Sequence, residues 1–359
     1  MPKSHRQLLQ GNEAIALAAQ KAGLGFFAGY PITPASEILH ALIGTGVKVV
    51  QMEDEIASLN AVIGASMAGL KAMTATSGPG FSLMQESIGL AHMTETPLVI
   101  VDVQRVGPST GMPTLPAQGD LMQARYGSHG DYFPLVFYPN SVAELYRFTF
   151  TAFSAAEESL SPVILLSDGY ISHLYETIEL REFKARKRRK KPLGASNRHF
   201  TGLTSENYLP QATNTRAHRS LIGRLAEKQE LVARRHAYYE YIENKESDAL
   251  LIAYGALSRA AYAVRDDYSL FRPIRIFPML SELGPIARRY RRIVVAEMNA
   301  GQYVRLVEGV VGKKVEFVPV LGGRVDLAEF RRLLAGPQTR RGNKAEPPLP
   351  QSPEPFQDE

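Results

Sequence analysis

The sequence of 359 residues contains no cysteine. Disulfide bonds are therefore excluded, and so is an iron–sulfur cluster that is held by cysteine thiolates of this polypeptide. A redox reaction that needs such a cluster has to use one on another chain. The absence of cysteine thus points to a partner protein if the function involves electron transfer.

The sequence also lacks long hydrophobic runs. No apolar stretch approaches the roughly 20 residues that a membrane-spanning helix needs. The first ten residues, MPKSHRQLLQ, lack the apolar core of a signal peptide. We therefore expect no membrane contact and a cytoplasmic location.

Short apolar runs alternate with helix-like segments through most of the chain, which is 45% hydrophobic. The pattern predicts strands at 25–28, 47–51, 72–75, 97–103, 134–138 and 162–167, with helices at 12–22, 36–43, 56–69, 82–93 and 141–157. It then predicts strands at 249–254, 274–277, 292–297 and 315–318, with helices at 257–268, 284–291 and 303–311. Strands separated by helices of this length form a largely parallel sheet covered on both faces, which is a doubly wound α/β architecture.

This pattern predicts two domains. Residues 1–180 form the first, 181–247 a basic connector with a charged helix at 219–244, and 248–335 a smaller second domain. Residues 336–359 are rich in proline and charge, cannot bury a core and should be disordered. Ligands of such sheets bind at the loops that follow the carboxyl ends of the strands, so we expect the functional site there.

A carboxylate at the start of an almost wholly apolar helix is the strongest functional signal. The string QMEDE at 51–55 precedes IASLNAVIGASMA, which has no charge and should be buried. Glu55 then lies where water is scarce, and its remaining hydrogen-bonding capacity needs a partner. An ordinary helix cap is one interpretation. The other is a thiamine diphosphate enzyme, in which a glutamate in a low-dielectric pocket binds the aminopyrimidine ring and promotes its imino tautomer.

Several longer motifs occur in the chain in a fixed order. They are GNEAIALAA at 11–19, GYPITPASE at 29–37, QMEDEIAS at 51–58, TATSGPGFSLMQE at 74–86, VDVQRVGPSTGMPT at 101–114, QGDLMQARYGSHGD at 118–131 and EMNAGQ at 297–302. With these motifs the chain resembles the alpha subunit of the 2-oxoacid:ferredoxin oxidoreductases, and most of all that of the 2-oxoglutarate members. The resemblance implies a pyrimidine-binding thiamine diphosphate domain followed by a smaller domain like the C-terminal domain of transketolase.

The resemblance also implies roles for individual residues. Glu55 is expected to activate the cofactor, and Thr33 and Arg105 are expected to bind the substrate, so that these three are the expected catalytic residues. The other expected cofactor contacts are Pro31, Ile32, Ser77 and Gly78.

The residue types suit these roles. Thr33 before Pro34 is typical of a helix N-cap with proline at the first helical position, and such a helix start binds anions. The Arg105 guanidinium can pair with a carboxylate through two hydrogen bonds. An ordinary cap and a surface salt bridge are the respective alternatives. The string SGPG at 77–80 allows either close backbone approach to a ligand or a tight turn.

The string SHGD supplies two weaker candidates, His129 and Asp131. Either could act as a general acid or base near the site. Structural hydrogen bonding is the alternative, because a lone histidine is weak evidence for catalysis.

We expect no metal site on this chain. Related enzymes bind the diphosphate through Mg²⁺ held by a Gly-Asp-Gly motif and a later asparagine. The segment Ser167-Asp168-Gly169 with Asn197 imitates that spacing, but the interval contains a basic run and the first glycine is replaced by serine. The resemblance therefore implies that a beta subunit supplies the Mg²⁺ and a [4Fe-4S] cluster, in a heterodimer or an α2β2 complex. Separate gamma and delta subunits are also compatible with it.

The implied reaction is the oxidative decarboxylation of 2-oxoglutarate with coenzyme A, which gives succinyl-CoA and CO2 and reduces ferredoxin, or its reverse. Pyruvate and branched-chain 2-oxoacids are alternative substrates, and a non-catalytic assembly or regulatory subunit is an alternative from another class. The net charge of +5 is concentrated in a basic run at 184–191. Because no nucleic-acid-binding motif accompanies this run, we interpret it as a solvated linker or as a patch for an acidic partner such as ferredoxin or for the phosphates of coenzyme A.

Overall fold

A computed structural model describes residues 6–187, Pro192 and residues 200–335 of the chain. The strands are β1 (Arg6–Gln10), β2 (Phe26–Gly29), β3 (Lys48–Gln51), β4 (Ala72–Thr76), β5 (Leu98–Val106), β6 (Met112–Pro116), β7 (Leu135–Phe137), β8 (Pro162–Asp168), β9 (Tyr175–Glu179), β10 (Ser205–Glu206), β11 (Leu209–Pro210), β12 (Tyr239–Ile242), β13 (Ala249–Ile252), β14 (Ser269–Pro273), β15 (Arg275–Phe277), β16 (Arg292–Glu297) and β17 (Glu316–Pro319).

Helices connect most of these strands. They are α1 (Gly11–Lys21), α2 (Ser36–Leu42), α3 (Glu55–Met67), α4 (Gly78–Leu83), α5 (Gln85–Met93), α6 (Leu121–Tyr126), α7 (Val142–Ser159), α8 (Gly169–His173), α9 (Thr215–Arg235), α10 (Gly255–Ala261), α11 (Leu283–Ala287), α12 (Tyr303–Val311) and α13 (Leu327–Leu334), with a 3₁₀ turn at Tyr262–Val264. Within the described ranges, none of the helices is both long and apolar enough to cross a membrane.

The larger sheet has the strand order β15-β7-β8-β5-β4-β2-β3, with β6 paired to β5 beside it. All neighbours from β7 to β3 are parallel. Strands β4, β7 and β8 are buried along their whole length, as is β5 up to its last residue, because helices cover both faces of the sheet. The predicted doubly wound α/β class is confirmed.

The smaller sheet has the order β12-β14-β13-β16-β17 and is parallel except for the edge strand β12. The sequence did not predict β1, β6, β9, β10, β11 or β14. Two further strands differ from the prediction in the sheet that they join. β12 belongs to this sheet although it falls within the predicted connector. β15, predicted as a strand of the second domain, instead pairs antiparallel with β7 at the edge of the larger sheet. Strand propensity alone does not reveal which sheet a strand joins.

Other boundaries also differ from the prediction. The helix predicted at 82–93 begins earlier, at Gly78, and is interrupted at Met84, so that it forms α4 and α5. The charged helix predicted at 219–244 lies at Thr215–Arg235 instead. The predicted disordered tail, 336–359, lies outside the described residues.

Charge pairs connect the second sheet and α9 with the first. Arg272 in β14 donates two hydrogen bonds of 2.8 Å to the Glu144 carboxylate in α7 and one of 2.8 Å to Glu240. Arg224 and Lys228 of α9 bond to Glu95, which follows α5. These contacts fix the second sheet and α9 against the layer that carries the site.

Candidate active site

The carboxyl ends of the parallel strands meet at one edge of the larger sheet. The segment after β2 contains Thr33, the segment after β3 leads into Glu55, and Gly78 starts α4 just after β4. Arg105 is the penultimate residue of β5. The fold therefore brings together the residues that the motifs singled out.

Glu55 is the first residue of α3, and its side chain is only 4% exposed. The preceding residue, Asp54, is the N-cap, and its carboxylate accepts a 2.7 Å hydrogen bond from the Ala57 amide. Because Asp54 performs the capping, the interpretation of Glu55 as the helix cap is wrong. Burial raises the pKa of Glu55, and the charge of Asp54 adds to the rise. The backbone amide of Glu55, a hydrogen bond from the Thr76 side chain and the charge of Arg105 lower it. A buried carboxyl with a raised pKa is suited to hydrogen bonding with a cofactor.

Gly80 explains how the Glu55 carboxylate fits beneath α4. A Cβ atom at this glycine would lie 2.1 Å from Glu55 Oε1 and 2.2 Å from Thr76 Oγ1. No side chain can be accommodated there unless the carboxylate moves. The sequence predicts that a group can approach the SGPG backbone closely. Such an approach does occur at Gly80, but the approaching group is the Glu55 carboxylate.

The prediction for Thr33 was partly wrong. Helix α2 begins at Ser36, and Ala35 is at its N-cap position. The Ala35 amide bonds to the Ile32 carbonyl at 2.8 Å, and the Pro34 carbonyl accepts the Asn12 side-chain amide at 2.8 Å. These bonds hold the segment in a turn outside the helix, so Thr33 is neither an N-cap nor part of an anion-binding helix start.

Arg105 lies next to Thr33 all the same. Its Nη1 atom donates a 2.8 Å hydrogen bond to the Thr33 carbonyl, and the side chain is 9% exposed. Its Nε atom is buried and has no hydrogen-bond partner among the described residues. The surface salt-bridge interpretation is wrong, since Arg105 is buried and forms no ion pair with a described residue at salt-bridge distance. The guanidinium therefore retains capacity to bind an anion.

A cavity of about 690 Å³ lies beside Arg105, although Glu55, Gly80 and Thr33 are not among the residues that line it. Its walls include Gly78, Arg105 and Asp120 from the larger sheet's loops and Asn299 and Gln302 from the loop after β16. Volumes of this size are ordinary for small-molecule sites. The site is therefore built from both sheets.

The remaining predicted residues are distributed unevenly. Pro31 and Ile32 are half-buried in the turn before α2, and Ser77 is fully buried with its hydroxyl unpartnered within the described part of the chain. His129 and Asp131 are exposed and do not line the cavity. A catalytic role for the last two stays a prediction without geometric support.

The motif EMNAGQ, to which the sequence assigned no role, fixes the cavity wall. The Gln302 side chain donates to the Gly119 carbonyl and accepts a 2.9 Å hydrogen bond from the Met122 amide. The Asn299 side chain donates to the Gln118 carbonyl at 2.7 Å. The loop of the second sheet thereby holds the segment that carries Asp120.

The Asp168 carboxylate is not available to a metal ion. It accepts hydrogen bonds from the Tyr138 hydroxyl at 2.8 Å, from the Ala256 amide at 3.2 Å and from two amides at the start of α8 at 3.0 Å each. Asn197, the other residue of the imitated magnesium motif, lies outside the described residues. Residues 6–187 and 200–335 contain no cluster of acidic, histidine or cysteine side chains suited to a metal ion.

Comparison with known proteins agrees with this arrangement. The family model described as pyruvate flavodoxin/ferredoxin oxidoreductase, thiamine diphosphate-binding, matches residues 17–237. The 2-oxoglutarate synthase subunit KorA of Methanocaldococcus jannaschii is 42% identical over 357 residues, which cover 90% of this chain and 97% of that protein.

Two solved structures extend the comparison. The 2-oxoglutarate:ferredoxin oxidoreductase from Magnetococcus marinus, solved with 2-oxoglutarate, coenzyme A and succinyl-CoA bound, has a TM-score of 0.86 and 30% identity, over 93% of this chain and 66% of that chain. A split-gene transketolase has a TM-score of 0.57 at 15% identity, over 91% of this chain and 96% of that chain, and so shares the fold alone. The family model and the 42% identical relative show that the chain is a thiamine diphosphate-binding member of the 2-oxoacid:ferredoxin oxidoreductase family.

Proposed function

We propose that the chain is the alpha subunit of a 2-oxoglutarate:ferredoxin oxidoreductase and is active only with a beta subunit. The observation that carries this proposal is the buried Glu55 carboxyl, which packs against Gly80 and lies near Arg105. The Arg105 side chain lines the cavity, and its Nε atom has no hydrogen-bond partner among the described residues. The identity to KorA and the likeness to an enzyme solved with 2-oxoglutarate and coenzyme A support the choice of substrate.

The residues present fit thiamine diphosphate. Glu55 would hold the aminopyrimidine ring, with Pro31, Ile32, Ser77 and Gly78 around it. The bound cofactor supplies the chemistry that breaks the bond between the 2-oxo carbon and the carboxylate. The protein keeps water from Glu55, which strengthens its hydrogen bond to the ring.

Arg105 and Thr33 form the substrate-binding part of the proposal. The guanidinium would pair with the carboxylate of the 2-oxoacid, while its bond to the Thr33 carbonyl fixes its orientation. Thr33 is exposed at the edge of the site and would contact the substrate from the same turn.

The partner chain would complete the enzyme. A beta subunit would hold the Mg²⁺ and the [4Fe-4S] cluster, coenzyme A would accept the acyl group, and ferredoxin in the cytoplasm would accept the electrons. The absence of cysteine supports a partner-held cluster. Separate gamma and delta subunits remain part of the proposal.

Reconstitution tests the proposal directly. The chain is co-purified with its candidate beta subunit, and dye reduction that depends on coenzyme A is measured with 2-oxoglutarate, pyruvate and 2-oxoisovalerate. We expect the highest kcat/KM with 2-oxoglutarate, no activity of either chain alone, and weak thiamine diphosphate binding by this chain alone in calorimetry. Higher kcat/KM with another acid would overturn the substrate. Tight cofactor binding by this chain alone would overturn the divided site.

The non-catalytic alternative makes a different prediction. A subunit with a degenerate site would tolerate the loss of Glu55, so the reconstituted Glu55→Gln complex would be as active as the wild type. The burial of Glu55 beneath a glycine that leaves room only for its carboxylate argues against this alternative.

A further inference from the structure

Two carboxyl groups beside Arg105 have no role in the reaction proposed above. Asp102 lies in the middle of the buried strand β5 and is fully inaccessible to solvent. Asp120, which precedes α6, lines the cavity. The two carboxyl groups lie close enough to interact, since each of them affects the pKa of the other. Apart from a weak interaction of Asp102 with the Gly78 amide, both oxygens of Asp102 and one of Asp120 lack a hydrogen bond from any described residue.

The protein holds the two groups together by bonds to the backbone around Asp120. The Gln104 side chain accepts a 3.0 Å hydrogen bond from the Asp120 amide and donates one of 3.2 Å to the Ser167 carbonyl. On the other side, Gln302 bonds to both Gly119 and Met122. Side chains from both sheets therefore fix the backbone that carries Asp120 beside Asp102.

Two adjacent buried carboxylates cannot both remain ionised, because their repulsion in a low dielectric is too large. A single proton between them converts the repulsion into a hydrogen bond. Burial and the neighbouring carboxyl group raise the pKa of Asp102 well above its usual value. Burial also raises the pKa of Asp120 to about 6, although the hydrogen bond from Asp102 and the charge of Arg105 both lower it. At neutral pH the pair therefore carries one proton, and it takes up a second below about pH 6.

The charge of this pair affects the cavity. Among the described residues that line it, only Arg105 and Asp120 are charged. Glu55 does not line the cavity but is near enough to Arg105 for their charges to interact, and the loops 298–302 and 321–323 contribute no charged side chain. On the side of β8, Asp102 faces Tyr138, whose hydroxyl is bonded to Asp168, and burial raises the pKa of Asp168 as well. If Glu55, Asp102 and Asp120 were all ionised, three negative charges would oppose an anion that binds to the one guanidinium.

We propose that Asp102 and Asp120 share one proton and thereby set the charge that the cavity presents, beside Arg105, to the carboxylate of a 2-oxoacid. They are positioning residues that act through Arg105 and take no part in bond cleavage. This inference rests on the proposed function, since it assumes that Arg105 binds the substrate carboxylate.

Kinetics of the reconstituted complex test the inference. The KM for 2-oxoglutarate should fall as the pH is lowered through about 6, because the second proton removes the charge that competes for Arg105. Asp120→Asn should lower the KM at neutral pH by a factor of about 10, as expected for removal of one nearby charge at intermediate dielectric. It should also abolish the pH step while kcat changes little.

The exposed Asp266, far along the chain in the second sheet's layer, provides the matched control. Asp266→Asn should leave the KM and its pH profile as in the wild type. A raised KM in Asp120→Asn would mean that this carboxylate binds substrate, and an unchanged KM with the pH step intact would mean that the pair does not act on the site. Either result overturns the proposal.

Infrared spectroscopy of the complex without substrate supplies a readout that does not depend on activity. The C=O band of protonated carboxyl groups, which shifts in D2O, should be present at neutral pH and should lose the contribution of the pair in the double variant D102N/D120N. The buried carboxyl groups of Glu55 and Asp168, whose pKa values are also raised, are the same in both proteins. A band of wild-type strength in the double variant refutes the shared proton. If the wild-type complex shows this band but reduces no dye with any 2-oxoacid, the proposed function is wrong. The assignment of a shared proton to Asp102 and Asp120 would still hold.

Discussion

Gly80 offers the sharpest test of how the fold positions Glu55. In Gly80→Ala the new Cβ would lie 2.1 Å from Glu55 Oε1, whereas ordinary contacts begin at 3.4 Å. The carboxylate must therefore retreat by about 1 Å, and a displacement of that size in an active site costs roughly 100-fold in rate. We expect turnover to fall by about two orders of magnitude.

Stability should change much less. The displaced atoms are the end of a flexible side chain and the Thr76 hydroxyl, so overpacking should cost no more than about 1–3 kcal/mol. Alanine in helix α4 recovers up to about 1 kcal/mol of this through its higher helix propensity. The variant should therefore fold and assemble, with a small decrease in melting temperature.

The assay is dye reduction by the reconstituted complex, together with thermal denaturation and calorimetric binding of thiamine diphosphate. Gly223→Ala in α9 is the matched control, since it lies in a helix, is exposed and has no atom within 4 Å of the new Cβ. Its activity should equal that of the wild type. Wild-type turnover and cofactor affinity in a folded Gly80→Ala complex would show that the position of Glu55 does not matter.

Three further variants test the other groups of the site. Glu55→Gln keeps the shape but loses the carboxylate, so turnover should fall by about 100-fold or more with an unchanged melting temperature; a normal rate would make Glu55 structural. Arg105→Lys loses the planar fork, so the substrate KM should rise by an amount equivalent to roughly 1–3 kcal/mol, whereas early melting with normal kinetics would make Arg105 a structural residue. Asp102→Asn should raise stability at neutral pH by more than about 1 kcal/mol, because the amide is neutral, whereas the wild-type carboxyl group must take up a proton to be buried, as its raised pKa shows. Since the pKa of Asp102 is raised in the folded state, the wild type gains stability as the pH falls, and the stability advantage of the variant should therefore shrink in acid. Thermal denaturation of both proteins across pH checks this. An advantage that grew in acid would contradict the raised pKa.

Local pattern was sufficient for much of this protein. The uncharged run after Glu55 predicted a buried helix, and the alternation of apolar runs and helices predicted a doubly wound sheet, because both signals depend on neighbours along the chain. The motifs also placed Thr33, Glu55 and Arg105 at strand ends, which parallel pairing brings to one edge. The missing cysteine determined that no thiolate-bound cluster can belong to this polypeptide.

Tertiary structure decided the rest, since it depends on groups far apart in the sequence. Pro34 was expected to start a helix, but the Asn12 amide holds its carbonyl in a turn. Asp102 gave one local signal, a lone carboxylate in an apolar strand, yet its partner Asp120 lies 18 residues away and is held there by a loop near residue 300. The sequence shows that Gly80 has no side chain, but only the tertiary structure shows that the Glu55 carboxylate fills the space beside it. Close packing depends on which surfaces meet in the fold, and the order of residues does not reveal this.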